Sequence, residues 1–237
     1  MATPKSQTPV PSGDLGQLLS TSFNLLLAQI GPYILISLIV LIPVGLVCML
    51  AMAFGLLGGG LLTGQPNLDT LVGMATGVGL IVSVIGLIGQ ALMAGALIHA
   101  ANSQASGGKV SVGEAYKASL AKAGTLIIVI LVVGIAVCVG SILLVLPGLA
   151  AFFFFCLTPM AVMLDNDGVG QALGRSVKLA LKIPVEIIVI GVITFVLSFI
   201  FAFIPFIGAL ASCVIMPWAF IALTLAYKKA QEAAPAA

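Results

Sequence analysis

The sequence predicts an all-α fold: a polytopic membrane helical bundle of six transmembrane helices, arranged as three hairpins, each preceded by an interfacial amphipathic helix. Three observations carry this expectation. Of 237 residues, 61% are hydrophobic, only 7% are charged and the mean hydropathy is +1.30, whereas a water-facing domain carries about 25% charged residues. The apolar residues fall in uncharged runs long enough to cross ~30 Å of hydrocarbon at ~1.5 Å per helical residue. The sparse cations gather between alternate runs.

Residues 1–13 are polar and rich in Pro, Ser and Thr, without the charged-then-apolar start of a signal peptide, and read as a disordered cytoplasmic tail. Residues 14–229 read as one membrane domain, and 230–237 as a second disordered tail. Spans are expected at 30–57 and 71–98, separated by the turn-rich GGGLLTGQPNLD. The uncharged stretch from Ala123 to Leu164 is long enough for two crossings. Pro147-Gly148 inside it is expected to form the turn, giving spans 124–146 and 149–164. A second break at Pro205 to Gly208 divides the last run into 183–204 and 207–227.

Orientation follows the bias of Lys and Arg toward cytoplasmic loops. Lys5 precedes the first span. Lys109, Lys117 and Lys122 follow the second, Arg175, Lys178 and Lys182 follow the fourth, and Lys228 and Lys229 follow the sixth. The loops on the other side hold Asp69 as their one charge. Both termini are therefore expected in the cytoplasm. In a cysteine-free background, single cysteines at Lys109 and Lys178 should label from inside, and at Thr63 and Gly148 from outside.

Three segments suggest an internal repeat: GQLLSTSF, GEAYKASL and GQALGRSV, with Ser22, Ser119 and Ser176 six positions after each leading Gly. They mark surface helices at 14–29, 111–122 and 168–182. Ser111 with Glu114, and Asp14 with Gln17, have capping-box spacing, while Gly168 stands at the third such position. In the third segment Gln171, Arg175, Lys178 and Lys182 share one helical face, and Val169, Ala172, Leu173, Ser176 and Ala180 another. The later hairpins match too: Pro147 and Pro205 at the turns are each followed twelve residues on by a proline, Pro159 and Pro217. A proline within a span removes a backbone hydrogen bond and kinks the helix.

The ordered set Pro147-Gly148, Pro159, Asp165 and Ala172-Leu173-Gly174-Arg175-Ser176 resembles the bacterial membrane domain that accompanies glycerophosphodiester phosphodiesterases in some proteins and stands alone in others. The likeness is clearest over 111–182. One departure is Val177, where that family often has an aromatic residue. The resemblance implies a stand-alone membrane domain of uncharacterised role that lacks the catalytic domain. That catalysis needs His and several carboxylates around a metal, and His99 is the one histidine here.

The candidate functional residues are Glu186, Asp165, Arg175 and Ser176. Glu186 lies inside a span, where ionisable groups are costly and often functional, yet Lys182 at i−4 suggests a locally paired, snorkelling carboxylate. His99 reads as an interfacial cap at the end of the second span. Gly73 and Gly77, with Ala91 and Gly95, have the small-x-x-x-small spacing of close helix packing, expected within the monomer. Cys48, Cys138, Cys156 and Cys213 lie in apolar runs without metal-ligand spacing and read as packing residues. GVGQALG, at 168–174, follows no strand and is not a phosphate loop. No HExxH, GxSxG or paired acids occur, so catalysis, metal and cofactor are not expected. A net charge of +2 without a basic-aromatic stripe excludes a nucleic-acid footprint. The expected function is a non-catalytic membrane scaffold or partner- and lipid-binding module. Its partners would be the lipid bilayer, anionic headgroups and another membrane protein. A transporter or channel for a lipid or small amphiphile is the alternative.

Overall fold

A computed structural model describes residues 15–56, 68–202 and 207–232. Among the described residues every regular element is a helix: α1 (Leu15–Ala28), α2 (Ile30–Leu56), α3 (Leu68–Ala105), α4 (Val112–Ala121), α5 (Ala123–Leu143), α6 (Val145–Phe155), α7 (Thr158–Asp165), α8 (Val169–Ala180), α9 (Pro184–Ala202) and α10 (Ile207–Glu232). Six stretches of them are long and apolar enough to cross a bilayer: Ile30–Leu50, Gly79–Ala105, Ala123–Leu143, Leu146–Asp165, Pro184–Phe201 and Leu210–Glu232.

Hydrophobicity all round a helix does not say which side meets protein. Packing resolves this. α2 lies on α3, α5 on α6 and α9 on α10, and α3 and α10 also pack on each other. Only 17%, 17% and 11% of the residues in the α2, α5 and α9 spans are buried, against 39% in α3, 39% in the α6–α7 span and 61% in α10. The even-numbered spans therefore form the interior. The odd-numbered ones present residues such as Leu46, Ile135 and Phe195 outward.

Three short helices, α1, α4 and α8, pack on these spans. α4 packs on α3, α8 on α6 and α7, and α1 on α10. Their buried faces hold Leu18, Ser22 and Leu26 in α1, Ala115 and Ser119 in α4, and Ala172, Ser176, Leu179 and Ala180 in α8. Gln171, Arg175, Lys178 and Lys182 are all exposed. Ser111 is the N-cap of α4, its hydroxyl accepting from Glu114 N at 3.5 Å.

Several boundaries differ from the sequence expectation. The turn between α5 and α6 is Leu144 alone, in extended conformation at φ −167°, ψ 147°, rather than Pro147-Gly148. Pro147 sits in the first turn of α6, where its missing N–H has no intrahelical partner to lose. Gly148 is used for close approach: a Cβ there would lie 2.9 Å from Ser141 N, and one on Gly140 would lie 2.9 Å from Gly148 N. A labelling cysteine for this turn is therefore better placed at Leu144, which is 67% exposed, than at Gly148. The fourth span is not one helix over 149–164 but α6 and α7, broken at Cys156–Leu157 just ahead of Pro159. Pro217, by contrast, lies inside a continuous α10. Pro205 and Asp14 lie outside the described residues.

α3 extends past 98 to Ala105 and α10 past 227 to Glu232, so the expected tail at 230–237 begins inside a helix, with Ala230 buried. His99 accordingly sits within α3, half-buried, and is not an end cap. Gly95 packs within the chain: a Cβ on it would come 2.7 Å from Leu126 Cδ1 and 3.1 Å from Ser119 Cβ. The side-chain surroundings of Gly73 and Gly77 lie outside the described residues.

Candidate functional site

The densest polar constellation gathers at the end of the bundle where α7, α8 and α10 meet. Its geometry begins with local backbone. α7 ends at Asp165, and Asn166 follows in the left-handed region at φ 59°, ψ 29°. Asn tolerates that conformation better than most residues. The chain reverses there, and Asp167 N–H reaches back to Ala161 O at 3.4 Å. Gly168 then caps α8 without a side-chain bond, which brings Arg175 on its second turn back beside both acids.

Arg175 Nη1 lies 2.9 Å from Asp165 Oδ2, and Arg175 Nε lies 2.7 Å from Asp167 Oδ2. The second contact is ionic: Asp167 Oδ2, almost fully buried, has no aligned hydrogen-bond donor. Asp165 Oδ2 also accepts from Tyr227 Oη and, at 2.7 Å, from Gln231 Nε2, both on α10. One carboxylate oxygen thus ties α7 to the following α8 and to α10, more than 60 residues further along the chain. Burial works against the charge on Arg175, but Asp165 and Asp167 beside it hold its pKa above the usual arginine value. Both acids are therefore matched by a permanent cation.

Lys122, between α4 and α5, completes this end. Its Nζ donates to Val162 O at 3.1 Å and Met163 O at 2.8 Å, carbonyls of the last turn of α7 that have no helical donor. Burial lowers the pKa of Lys122, opposed by nearby Asp165.

Ser176 and Pro159 serve one structural feature. Pro159 has no N–H to give its own helix, and the α6–α7 break interrupts the ladder around it. Ser176 Oγ donates to Phe154 O at 2.7 Å from the neighbouring α8, supplying a bond to the disrupted turn. Ser119 does likewise toward α3, donating to Leu92 O at 2.8 Å, while Ser22 bonds within its own helix to Leu19 O at 2.8 Å. All three serines are fully buried.

Glu186 is not paired with Lys182. It faces Lys229 of α10 at 2.9 Å, and Lys182 is exposed. The i−4 spacing is overridden because α8 ends at Ala180 and a turn separates it from α9, so Lys182 and Glu186 do not share one helix face. Glu186 therefore ties α9 to α10 and does not join the Asp165–Arg175 cluster.

A second network joins α1 and α2 to α3 and α4. Tyr33 Oη donates to Gln104 Oε1 at 2.8 Å, and Gln104 Nε2 donates to Leu25 O at 2.6 Å. Gln29 Oε1 accepts from Val110 N at 2.8 Å, and Tyr116 Oη donates to Ile36 O at 2.6 Å. Burial pushes the Tyr116 phenol up to about 12. Tyr33, Gln104, Tyr227 and Gln231 were not among the residues singled out from sequence, and Lys122 was read there as a cytoplasmic surface cation, not as a cap on α7. A usable signal existed: the chain has only three tyrosines, and all three hydroxyls find a partner.

The arrangement can lock helices together and hold charge in an apolar setting. Among the described residues no three His, Cys, Asp or Glu side chains converge as a metal set. Away from the polar clusters, α1, α9 and α10 enclose a groove of about 430 Å³ whose lining includes Phe23, Leu26, Ile193, Val214 and Trp218 and is almost wholly apolar. No protein-family model, curated protein or solved structure matches the chain.

Proposed function

We propose that this chain is a non-catalytic multi-pass membrane module, a scaffold or partner- and lipid-binding unit of the bacterial inner membrane, with its basic end in the cytoplasm. The observation that carries the reading is how the polar residues are spent. Asp165, Asp167, Arg175, Tyr227 and Gln231 bind one another, Glu186 binds Lys229, and Lys122 caps α7. Groups committed to holding helices are poorly placed to turn over a substrate. The groove among α1, α9 and α10 suits an acyl chain better than a polar solute. The likeness over 111–182 to the phosphodiesterase-associated membrane domain belongs to the same proposal.

The proposal includes three repeated units, each a surface helix and a two-helix hairpin. Its support is a shared docking rule. α4 and α8 each pack on the inner helix of the hairpin before them, and α1 packs on α10, the inner helix of the last hairpin. The first surface helix thus closes the ring. The exposed cations Lys178 and Lys182 on the third unit are placed to meet anionic headgroups.

Extraction in native lipid followed by mass spectrometry tests the reading directly. A bound lipid or a second membrane protein is expected to co-purify. Repeated recovery of the bare chain would count against both forms of it. The groove has its own reporter, because Trp218 is the sole tryptophan and lines it. Lipids brominated on the acyl chain should quench Trp218 fluorescence, and Val214→Phe, which fills the groove, should weaken that quenching. Equal quenching in both proteins would remove the acyl-chain site. Transport of an amphiphile is the second reading, favoured by the broken α6–α7 span; vesicle flux lost in Glu186→Gln would support it.

A further inference from the structure

We propose that the chain forms a twofold homodimer in the membrane through the α2–α3 face centred on Gln90. Gln90 lies in the uncharged run of α3, 21 residues beyond Asp69 and 9 before His99 (90 − 69 and 99 − 90). At ~1.5 Å per residue that is about 32 Å and 14 Å along the helix from the nearest ionisable groups, inside the hydrocarbon. Its side chain is exposed, and among the described residues it makes no hydrogen bond. Ser83 on the same helix is also exposed, but its hydroxyl donates to Gly79 O at 2.7 Å and is satisfied. The primary amide of Gln90 cannot satisfy itself this way and is too short to reach water from that depth. An amide left bare in hydrocarbon is strongly unfavourable.

The surroundings of Gln90 fit a helix. It borders a shallow groove of about 230 Å³ between α2 and α3, lined also by Val44, Gly45, Gly86 and Met93. A Cβ on Gly45 or Gly86 would meet nothing within 4 Å, so the surface there is open to a close approach. Gly89 does the opposite work: its Cβ would come 2.8 Å from Val40 Cγ1, so that side of α3 is already occupied by α2. Gly86 and Gln90, four residues apart, form one outward stripe.

The occupant follows from the chemistry of the amide. A primary amide has two donors and an acceptor, so two copies about a twofold axis can exchange N–H···O bonds reciprocally. The groove lining carries no charge, so a charged partner finds no complement there. A second copy brings the matching amide, and also the glycines that let the two backbones come close.

The test uses the full chain, fluorescently labelled and reconstituted in lipid vesicles at decreasing protein-to-lipid ratio. Energy transfer between differently labelled copies, or stepwise photobleaching, reads the dimer fraction. The parent should be dimeric at ratios where Gln90→Leu has lost association by about fivefold or more. Gly86→Leu, which fills the groove, should act in the same direction, whereas Phe195→Leu on α9, an exposed position that does not line this groove, should not. Both key positions face outward, and unchanged thermal unfolding would confirm that the variants fold. A parent that stays monomeric at every ratio overturns the proposal. So does a dimer that Gln90→Leu and Gly86→Leu leave intact, or a different membrane protein taking the Gln90 face.

Discussion

Asp165→Ala is expected to lower the unfolding free energy by about 3 kcal/mol, read from denaturant titration in detergent micelles. The loss is large because one oxygen serves three donors from two other elements, Arg175 on α8 and Tyr227 and Gln231 on α10. Truncation leaves the fully buried Tyr227 phenol without its acceptor and Arg175 with a single acid. Asp165→Asn separates the two contributions. The amide keeps an oxygen for Tyr227 and Gln231 but drops the charge facing Arg175, so about half the loss should return. Arg175→Ala should be milder, about 2 kcal/mol, because Arg175 is itself 42% exposed and water replaces part of what it provides. If Asp165→Ala unfolds with its parent, the cluster is not a clamp, and the reading of these polar residues as structural fails with it.

Gly148→Val should be nearly as damaging, at about 2–3 kcal/mol, by a different mechanism. α5 and α6 turn on one residue and press backbone against backbone. A Cβ on Gly148 would meet the Ser141 hydroxyl and lie 2.9 Å from Ser141 N. The obstacle is main chain, which cannot rotate away as a long side chain can. Gly134, on α5, provides the contrast, since its Cβ would meet nothing within 4 Å. Gly134→Ala should be neutral or slightly stabilising through helix propensity. Equal behaviour of Gly148→Val and Gly134→Ala would mean that the helices separate at no cost and that the turn is not tight.

Asp165, Arg175, Ser176, Pro159 and Gly148 were all legible, because rare polar residues, glycines and prolines stand out in an apolar chain. Their partners were not. Tyr227 lies 62 residues beyond Asp165, and Lys229 lies 43 beyond Glu186, separations that no local spacing rule reaches. Lys182 was the nearest cation to Glu186 along the chain, but a turn intervenes and the contact goes to α10 instead. Gln90 drew no attention in sequence, since one amide in a long apolar helix acquires meaning only when its face is known to be unpaired.

Composition and hydropathy by themselves determined the class: a chain this poor in charge cannot hydrate its own surface, and its uncharged runs match a bilayer's thickness. Helical periodicity by itself divided 168–182 into a polar and an apolar face. The tertiary structure alone decided which spans are central, where the fourth breaks and which polar groups find one another. The physical reason is that an apolar helix is nearly isotropic to lipid, so its rotation and neighbours are set by close packing and by a few hydrogen bonds to residues far away in the chain.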